Sequence, residues 1–146
     1  MFLGESRHSI DAKGRIIVPS KYREFIGDQK LVVTRGLDAN NLVVYTEEGF
    51  REYAQRWMEL TTGKAQNRKL RRFVFSTAEY CDLDKQGRIL LSAKHREFAG
   101  LEKDAVINGN MNSFEIWNPE HWDEVSGEFD DIRELSQEIE DADLFI

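Results

Sequence analysis

The sequence predicts an α+β chain, mainly β, built from two copies of one small hairpin unit with helices between and after them. Three observations predict this. First, Asp11-Ala-Lys-Gly-Arg-Ile-Ile-Val-Pro-Ser-Lys-Tyr-Arg-Glu-Phe-Ile-Gly27 returns 73 residues later as Asp84-Lys-Gln-Gly-Arg-Ile-Leu-Leu-Ser-Ala-Lys-His-Arg-Glu-Phe-Ala-Gly100, with nine of seventeen positions identical. Self-similarity at a fixed separation points to one structural unit used twice. Second, short aliphatic runs bounded by Gly, Asp and Asn flank both copies, as strands between turns do. Third, the segment between the copies has apolar residues at helical spacing.

Each unit reads as strand, turn, strand, short helix and two further strands. In the first, Glu5 to Ile10 leads into the turn Asp11-Ala-Lys-Gly14, and Arg15 to Val18 leaves it. Asp can bond the amides that follow it, and Gly accepts a positive φ without a Cβ clash. Pro19 stops the strand because it has no amide donor. Ser20 is the expected N-cap of a helix over Lys21 to Ile26, with Gly27 ending it. Ala93 to Ala99 and Gly100 repeat the arrangement. Leu31 to Thr34 and Leu42 to Tyr45 follow as strands in the first unit, Ala105 to Ile107 and Phe114 to Trp117 in the second.

The intervening segment has Phe50, Tyr53, Ala54, Trp57, Met58 and Leu60 on one helical stripe from Glu47 to Leu60. Thr61-Thr-Gly63 breaks it, and Lys64 to Thr77 reads as a second helix. Pro119 begins a helix after the second unit. From Ser126 onward the tail has Phe129, Ile132, Leu135 and Ile139 on a helical stripe, which would dock it by one face. The chain therefore divides into a first repeat over 1–50, a helical connector over 51–78, a second repeat over 79–122 and an acidic helical tail over 123–146. Units this small bury only about 60% of their unfolded surface, so they are expected to pack on each other and on further subunits.

A net charge of −7 argues against a nucleic-acid partner until its distribution is read. Residues 127–146 hold eight acids and one base, and that tail accounts for the whole charge. The remaining 126 residues are neutral, with nineteen bases and nineteen acids. No run approaches the ~18 apolar residues of a membrane span. The start Met-Phe-Leu-Gly-Glu-Ser lacks the basic and apolar blocks of a signal peptide, and the lone Cys81 suits a reducing compartment. A cytoplasmic protein with no membrane association is expected.

No catalytic constellation stands out. His8, His95 and His121 occupy unrelated places, Cys81 has no partner at metal-ligand spacing and is expected to be buried and inert, and phosphate-binding glycine loops are absent. The sequence predicts no enzyme, no metal and no cofactor. The repeated Asp-x-x-Gly-Arg is the sharpest motif. Asp11, Gly14, Asp84 and Gly87 read as hairpin builders, with the Asp capping the turn. Arg15 and Arg88 have two readings: a salt bridge to that Asp, or donors for phosphate oxygens or a guanine edge. Lys13 has solvated surface as its default reading. Lys21, Arg23, Lys94 and Arg96 are either exposed helix face or phosphate contacts. The run Arg68-Lys-Leu-Arg71-Arg72 reads as a wrapping of an apolar helix face paired with acids, with a nucleic-acid patch as the alternative. Phe25 and Phe98 read as core. The first unit is the more basic: Arg7, Lys13, Arg15, Lys21 and Arg23 stand against Glu5 and Asp11. In the second, Lys85, Arg88, Lys94 and Arg96 stand against Glu79, Asp82 and Asp84.

The opening Met-Phe-Leu-Gly, the two Asp-x-x-Gly-Arg turns each followed by an aliphatic trio and a Lys-x-Arg-Glu-Phe helix, and the strand Phe-Glu-Ile-Trp together resemble the MraZ family. The resemblance covers residues 1 to about 125. It implies two AbrB-like swapped-hairpin units forming an internal pseudo-dimeric β-barrel. It further implies a ring-shaped homo-oligomer, nucleoid-associated, that binds direct repeats in promoter DNA and regulates the cell-division and cell-wall gene cluster. The family's DNA-binding Asp-x-x-x-Arg elements fall on Asp11 with Arg15 and on Asp84 with Arg88. Pro19 fits the pattern, whereas Ser92 and Ala93 replace Pro-Ser in the second copy. From the charge count, the first hairpin is expected to dominate contact with double-stranded DNA, through Arg7, Lys13, Arg15, Lys21 and Arg23, with Lys85 and Arg88 of the second copy beside them. Linked contacts on tandem repeats can raise avidity by ~10²–10⁴. A protein-interaction or antitoxin-like module using the same barrel is the alternative.

Overall fold

The two repeats exchange strands. The computed structural model describes residues 1–37, 39–60 and 63–137. The first repeat contributes β1 (Glu5–Ser9), β2 (Arg15–Ile17), α1 (Ser20–Ile26), β3 (Leu31–Arg35) and β4 (Leu42–Thr46). Helices α2 (Glu47–Glu59) and α3 (Ala65–Ser76) follow. The second repeat contributes β5 (Glu79–Cys81), β6 (Arg88–Leu90), α4 (Ala93–Ala99), β7 (Asp104–Gly109) and β8 (Phe114–Trp117). Helix α5 (Pro119–Gly127), a 3₁₀ turn (Glu128–Asp131) and α6 (Ile132–Gln137) close the described chain.

Six strands form one antiparallel sheet in the order β1-β7-β8-β4-β3-β5. The first strand of each repeat thus pairs with the third strand of the other: Arg7 lies opposite Val106, and Tyr80 opposite Val32. The second strands pair with each other in a separate ribbon, Arg15 opposite Leu90, Ile16 opposite Ile89 and Ile17 opposite Arg88. This is the expected hairpin exchange within one chain. The six-stranded sheet is open, with β1 and β5 at its edges, and a single bridge between Ile10 and Ile16 joins β1 to β2. With three residues each, β2 and β6 place their ladder bonds on one another and leave the sheet edges unclosed.

Alternation along the strands sorts the apolar residues into two faces. Leu31, Val33, Leu42, Val44, Ala105, Ile107, Phe114 and Ile116 face the ribbon and meet Ile16, Val18, Ile89 and Leu91 in the main core. Tyr22 and Ile26 of α1 and Ala99 of α4 complete that core. The opposite face is covered by helices. Tyr45 stacks on Tyr53 of α2, the Thr34 hydroxyl donates to the Val74 carbonyl of α3, and Val106 and Trp117 pack on Trp122 of α5. The result is three layers: ribbon with α1 and α4, sheet, then α2, α3 and α5.

Helix bounds follow the sequence closely, with local corrections. Ser20 is the first helical residue rather than the cap. Pro19 holds the capping position without a side-chain bond, and its carbonyl accepts the Tyr22 and Arg23 amides at 2.9 and 3.1 Å. Ser92, its counterpart, does cap, accepting the His95 amide at 3.2 Å. Phe25 is not core: it is 48% exposed and its ring meets Phe2 edge-on, whereas Phe98 is half-buried against Phe73 of α3. Of the expected tail stripe, Phe129 rests on Trp122 and Ile132 is exposed; Ile139 lies outside the described residues.

Candidate nucleic-acid interface

The two Asp-x-x-Gly-Arg turns are built identically. In the first, Asp11 Oδ1 accepts the Lys13 and Arg15 amides at 3.0 and 2.8 Å, and Oδ2 accepts Arg15 Nε at 2.6 Å. In the second, Asp84 Oδ1 accepts the Gln86 and Arg88 amides at 2.9 Å each, and Oδ2 accepts Arg88 Nε at 2.8 Å. Gly14 and Gly87 take φ of 92° and 77° and donate their amides to the Asp carbonyls, both at 3.0 Å. That backbone favours glycine. Hydrogen bonds from the Arg15 amide and side chain and from the Lys13 amide hold the Asp11 carboxyl down to about 2, and Asp84 is lowered by the same kinds of contact. Both carboxylates are therefore ionised at neutral pH. Each arginine makes the bridge to its own aspartate, one of the two readings that the sequence leaves open.

The turns also lie side by side. The Leu91 amide donates to the Gly14 carbonyl and the Val18 amide to the Gly87 carbonyl, both at 2.9 Å. Arg88 Nη1 stands 3.8 Å from Asp11 Oδ2, so the second repeat's arginine also leans on the first repeat's aspartate. The helix arginines cross over as well. A methyl group at Gly14 would lie 2.6 Å from Arg96 Nε, and one at Gly87 would lie 2.5 Å from Arg23 Nη1. Sequence reasoning left Arg23 and Arg96 as exposed helix face or phosphate contacts and missed this exchange; the small residue at each turn was the signal, since it leaves room for a neighbour.

Together the turns gather Lys13, Arg15, Arg23, Lys85, Arg88 and Arg96 against Asp11 and Asp84. Arg15 and Arg88 commit one donor, Nε, to their own aspartate and are 32% and 26% exposed. Lys13 and Lys85 are exposed at the turns, and Lys21 is exposed on α1. Arg7 belongs elsewhere. It shares the face of Val106, on the far side of the sheet from the ribbon, and pairs with Asp123 of α5 at 2.6 Å. The two turns are near equal in bonding and exposure, and with Arg7 on the far side each repeat brings three of the six cations and one carboxylate to this surface.

Other candidates offer little chemistry. Among the described residues no group of three His, Cys, Asp or Glu side chains is placed to hold a metal, and no helix is long and apolar enough to cross a membrane. Burial, then Asp82 and Glu79 nearby, push the half-buried Cys81 thiol up to about 12. The basic run on α3 does wrap an apolar surface: Arg68, Arg71 and Arg72 with Ala54, Met58 and Phe75 line a groove of about 520 Å³ between α2 and α3.

The family model "MraZ protein, putative antitoxin-like" matches this chain twice, over residues 1–73 and 74–145. A protein of Natranaerobius thermophilus named transcriptional regulator MraZ is 43% identical over 145 residues, covering 99% of this chain and all of its own length. Relatives of the same name from Moorella thermoacetica and Pediococcus pentosaceus are 43% and 46% identical, covering 99% and 92% of this chain and 100% and 95% of their own lengths. A repeat that the strand exchange turns into one body is matched from end to end, and the chain belongs to the MraZ family.

Proposed function

We propose that the chain is a sequence-specific DNA-binding transcriptional regulator, acting as a repressor, and that the paired turns are the surface it offers to double-stranded DNA. One observation carries this reading: six cations converge on two adjacent turns that hold only two carboxylates. The name shared by the relatives, transcriptional regulator, supports it. In this reading Asp11 and Asp84 fix the turns. Arg15 and Arg88 turn their terminal nitrogens to guanine edges or phosphates. Lys13, Lys85, Lys21, Arg23 and Arg96 add phosphate contacts, which position the protein without reading sequence. Arg7, paired with Asp123 on the opposite side, is left out.

The finer reading is a ring-shaped homo-oligomer in the cytoplasm and on the nucleoid, meeting direct repeats in the promoter of the cell-division and cell-wall gene cluster. Repetition of a modest contact supplies the avidity that a chain of net charge −7 lacks at any one site. A gel-shift titration on such repeats tests the role of Arg15. Arg15→Ala is expected to weaken promoter binding while light scattering reports an unchanged oligomer mass. Unchanged affinity in that variant sinks the role. Genome-wide recovery of bound DNA tests the target cluster.

The second reading, an antitoxin-like protein-interaction module, is favoured by the wording of the family description and by the apolar groove between α2 and α3. A pull-down that retains a stoichiometric protein partner without enriching DNA supports it over the first.

A further inference from the structure

The outer face of the β2–β6 ribbon carries a feature that phosphate binding does not require. Ile16 and Ile89 lie opposite one another and are fully buried against the sheet. Residues one step away on each strand point to the other side, so Arg15, Ile17, Arg88 and Leu90 share the outer face. Two of these four are branched aliphatics, Ile17 45% exposed and Leu90 57% exposed. Each stands directly across from an arginine: Leu90 from Arg15, and Ile17 from Arg88. Neither belongs to the buried core.

A patch that only gripped phosphates would gain nothing from methyl groups at those positions. A patch that read bases would. In the major groove thymine alone presents a 5-methyl group, which only an apolar contact rewards, while the arginine fork matches the two acceptors of guanine. The groove is about 12 Å wide and admits a two-stranded β-ribbon. The neighbouring strands of a ribbon are only about 4.8 Å apart, so its outer face fits within that width.

We propose that Ile17 and Leu90 are sequence-determining residues that contact thymine methyl groups in the major groove, beside the contacts of Arg15 and Arg88. The inference rests on the DNA-binding reading above and adds to it a base class and the two side chains that select it. It makes the ribbon's outer face a reader of apolar as well as polar base edges, with the turns' lysines serving the backbone.

Replacing thymine by deoxyuridine, one position at a time, removes the methyl group and keeps the base pair. The duplex is the one that the wild-type protein recovers from genomic DNA, and binding is followed by fluorescence anisotropy at fixed salt. Wild type is expected to lose roughly fourfold in affinity at one or more thymines, the worth of one buried methyl. That penalty is expected to disappear in Ile17→Ala or Leu90→Ala, with the salt dependence unchanged. Both positions are exposed, and thermal unfolding checks that the variants fold. A wild type indifferent to every deoxyuridine overturns the proposal, as does a penalty that persists in both variants. If instead the two residues cover a second copy of the chain, the variants change the oligomer mass and leave the deoxyuridine penalties intact, which also overturns it. Failure of the DNA reading itself has a different signature: the wild type then retains no duplex even at low salt, and both readings fall together.

Discussion

The guanidinium of Arg23, on the helix of the first repeat, lies against Gly87 in the turn of the second. Arg96 lies against Gly14 in the same way, so each turn is roofed by the other repeat's arginine. Gly87 is thus needed twice, for its φ of 77° and for the space above it. Gly87→Ala is expected to destabilise the fold by about 1–3 kcal/mol. Adding Arg23→Ala should restore the steric part and leave the backbone part. Urea unfolding of the single and double variants measures this, and strict additivity would show that the arginine does not crowd the turn.

The Asp11 carboxyl is held at about 2 against an ordinary 3.8, chiefly by the Arg15 amide. A carboxyl depressed on folding contributes stability that is fully present above its unfolded value and is lost as pH falls through its folded value. The stability advantage of wild type over Asp11→Asn should therefore be level at neutral pH and shrink between about pH 4 and pH 2. Urea midpoints across that range check the direction. Asp84→Asn should behave likewise, since the same contacts lower Asp84.

Asn118 starts α5 and joins it to the second repeat. Its Oδ1 accepts the Glu120 and His121 amides at 2.8 and 3.2 Å, and its Nδ2 donates to the Gly100 carbonyl at 2.7 Å. Asn118→Ala is expected to cost about 1–2 kcal/mol and to loosen Trp122 from Trp117. A lower thermal midpoint with a red-shifted tryptophan emission is the expected readout. An unchanged midpoint would mean that α5 is held by Trp122 and the Arg7–Asp123 pair without the help of its cap.

Much of this architecture is legible in the sequence, because turns and short helices are local. The Asp-Arg bridge, the glycine turns and the limits of α2 and α3 all follow from residues within a few positions of each other. Long-range partners are not local. Glu5–Ser9 has no apolar residue, and nothing local tells that β7, about a hundred residues on, receives it. Arg7 and Arg15 have the same charge eight residues apart, and the exchange puts them on opposite sides of the sheet. Phe25 and Phe98 end the same Lys-x-Arg-Glu-Phe pattern, yet Phe98 is covered by Phe73 of α3 and by the Arg35 guanidinium while Phe25 has Phe2. A repeated sequence predicts a repeated element, not repeated surroundings.

If the paired turns form one DNA-binding face, the salt dependence of duplex binding draws on both of them. The comparison is among wild type, Arg15→Ala, Arg88→Ala and the double variant, each checked for unchanged oligomer mass. Wild-type affinity is expected to fall linearly with salt on logarithmic axes, and each lost phosphate contact flattens the slope by about 1 per turn engaged. Both single variants should weaken binding, with the double variant weaker than either. Wild-type affinity and slope retained in the double variant would contradict the account.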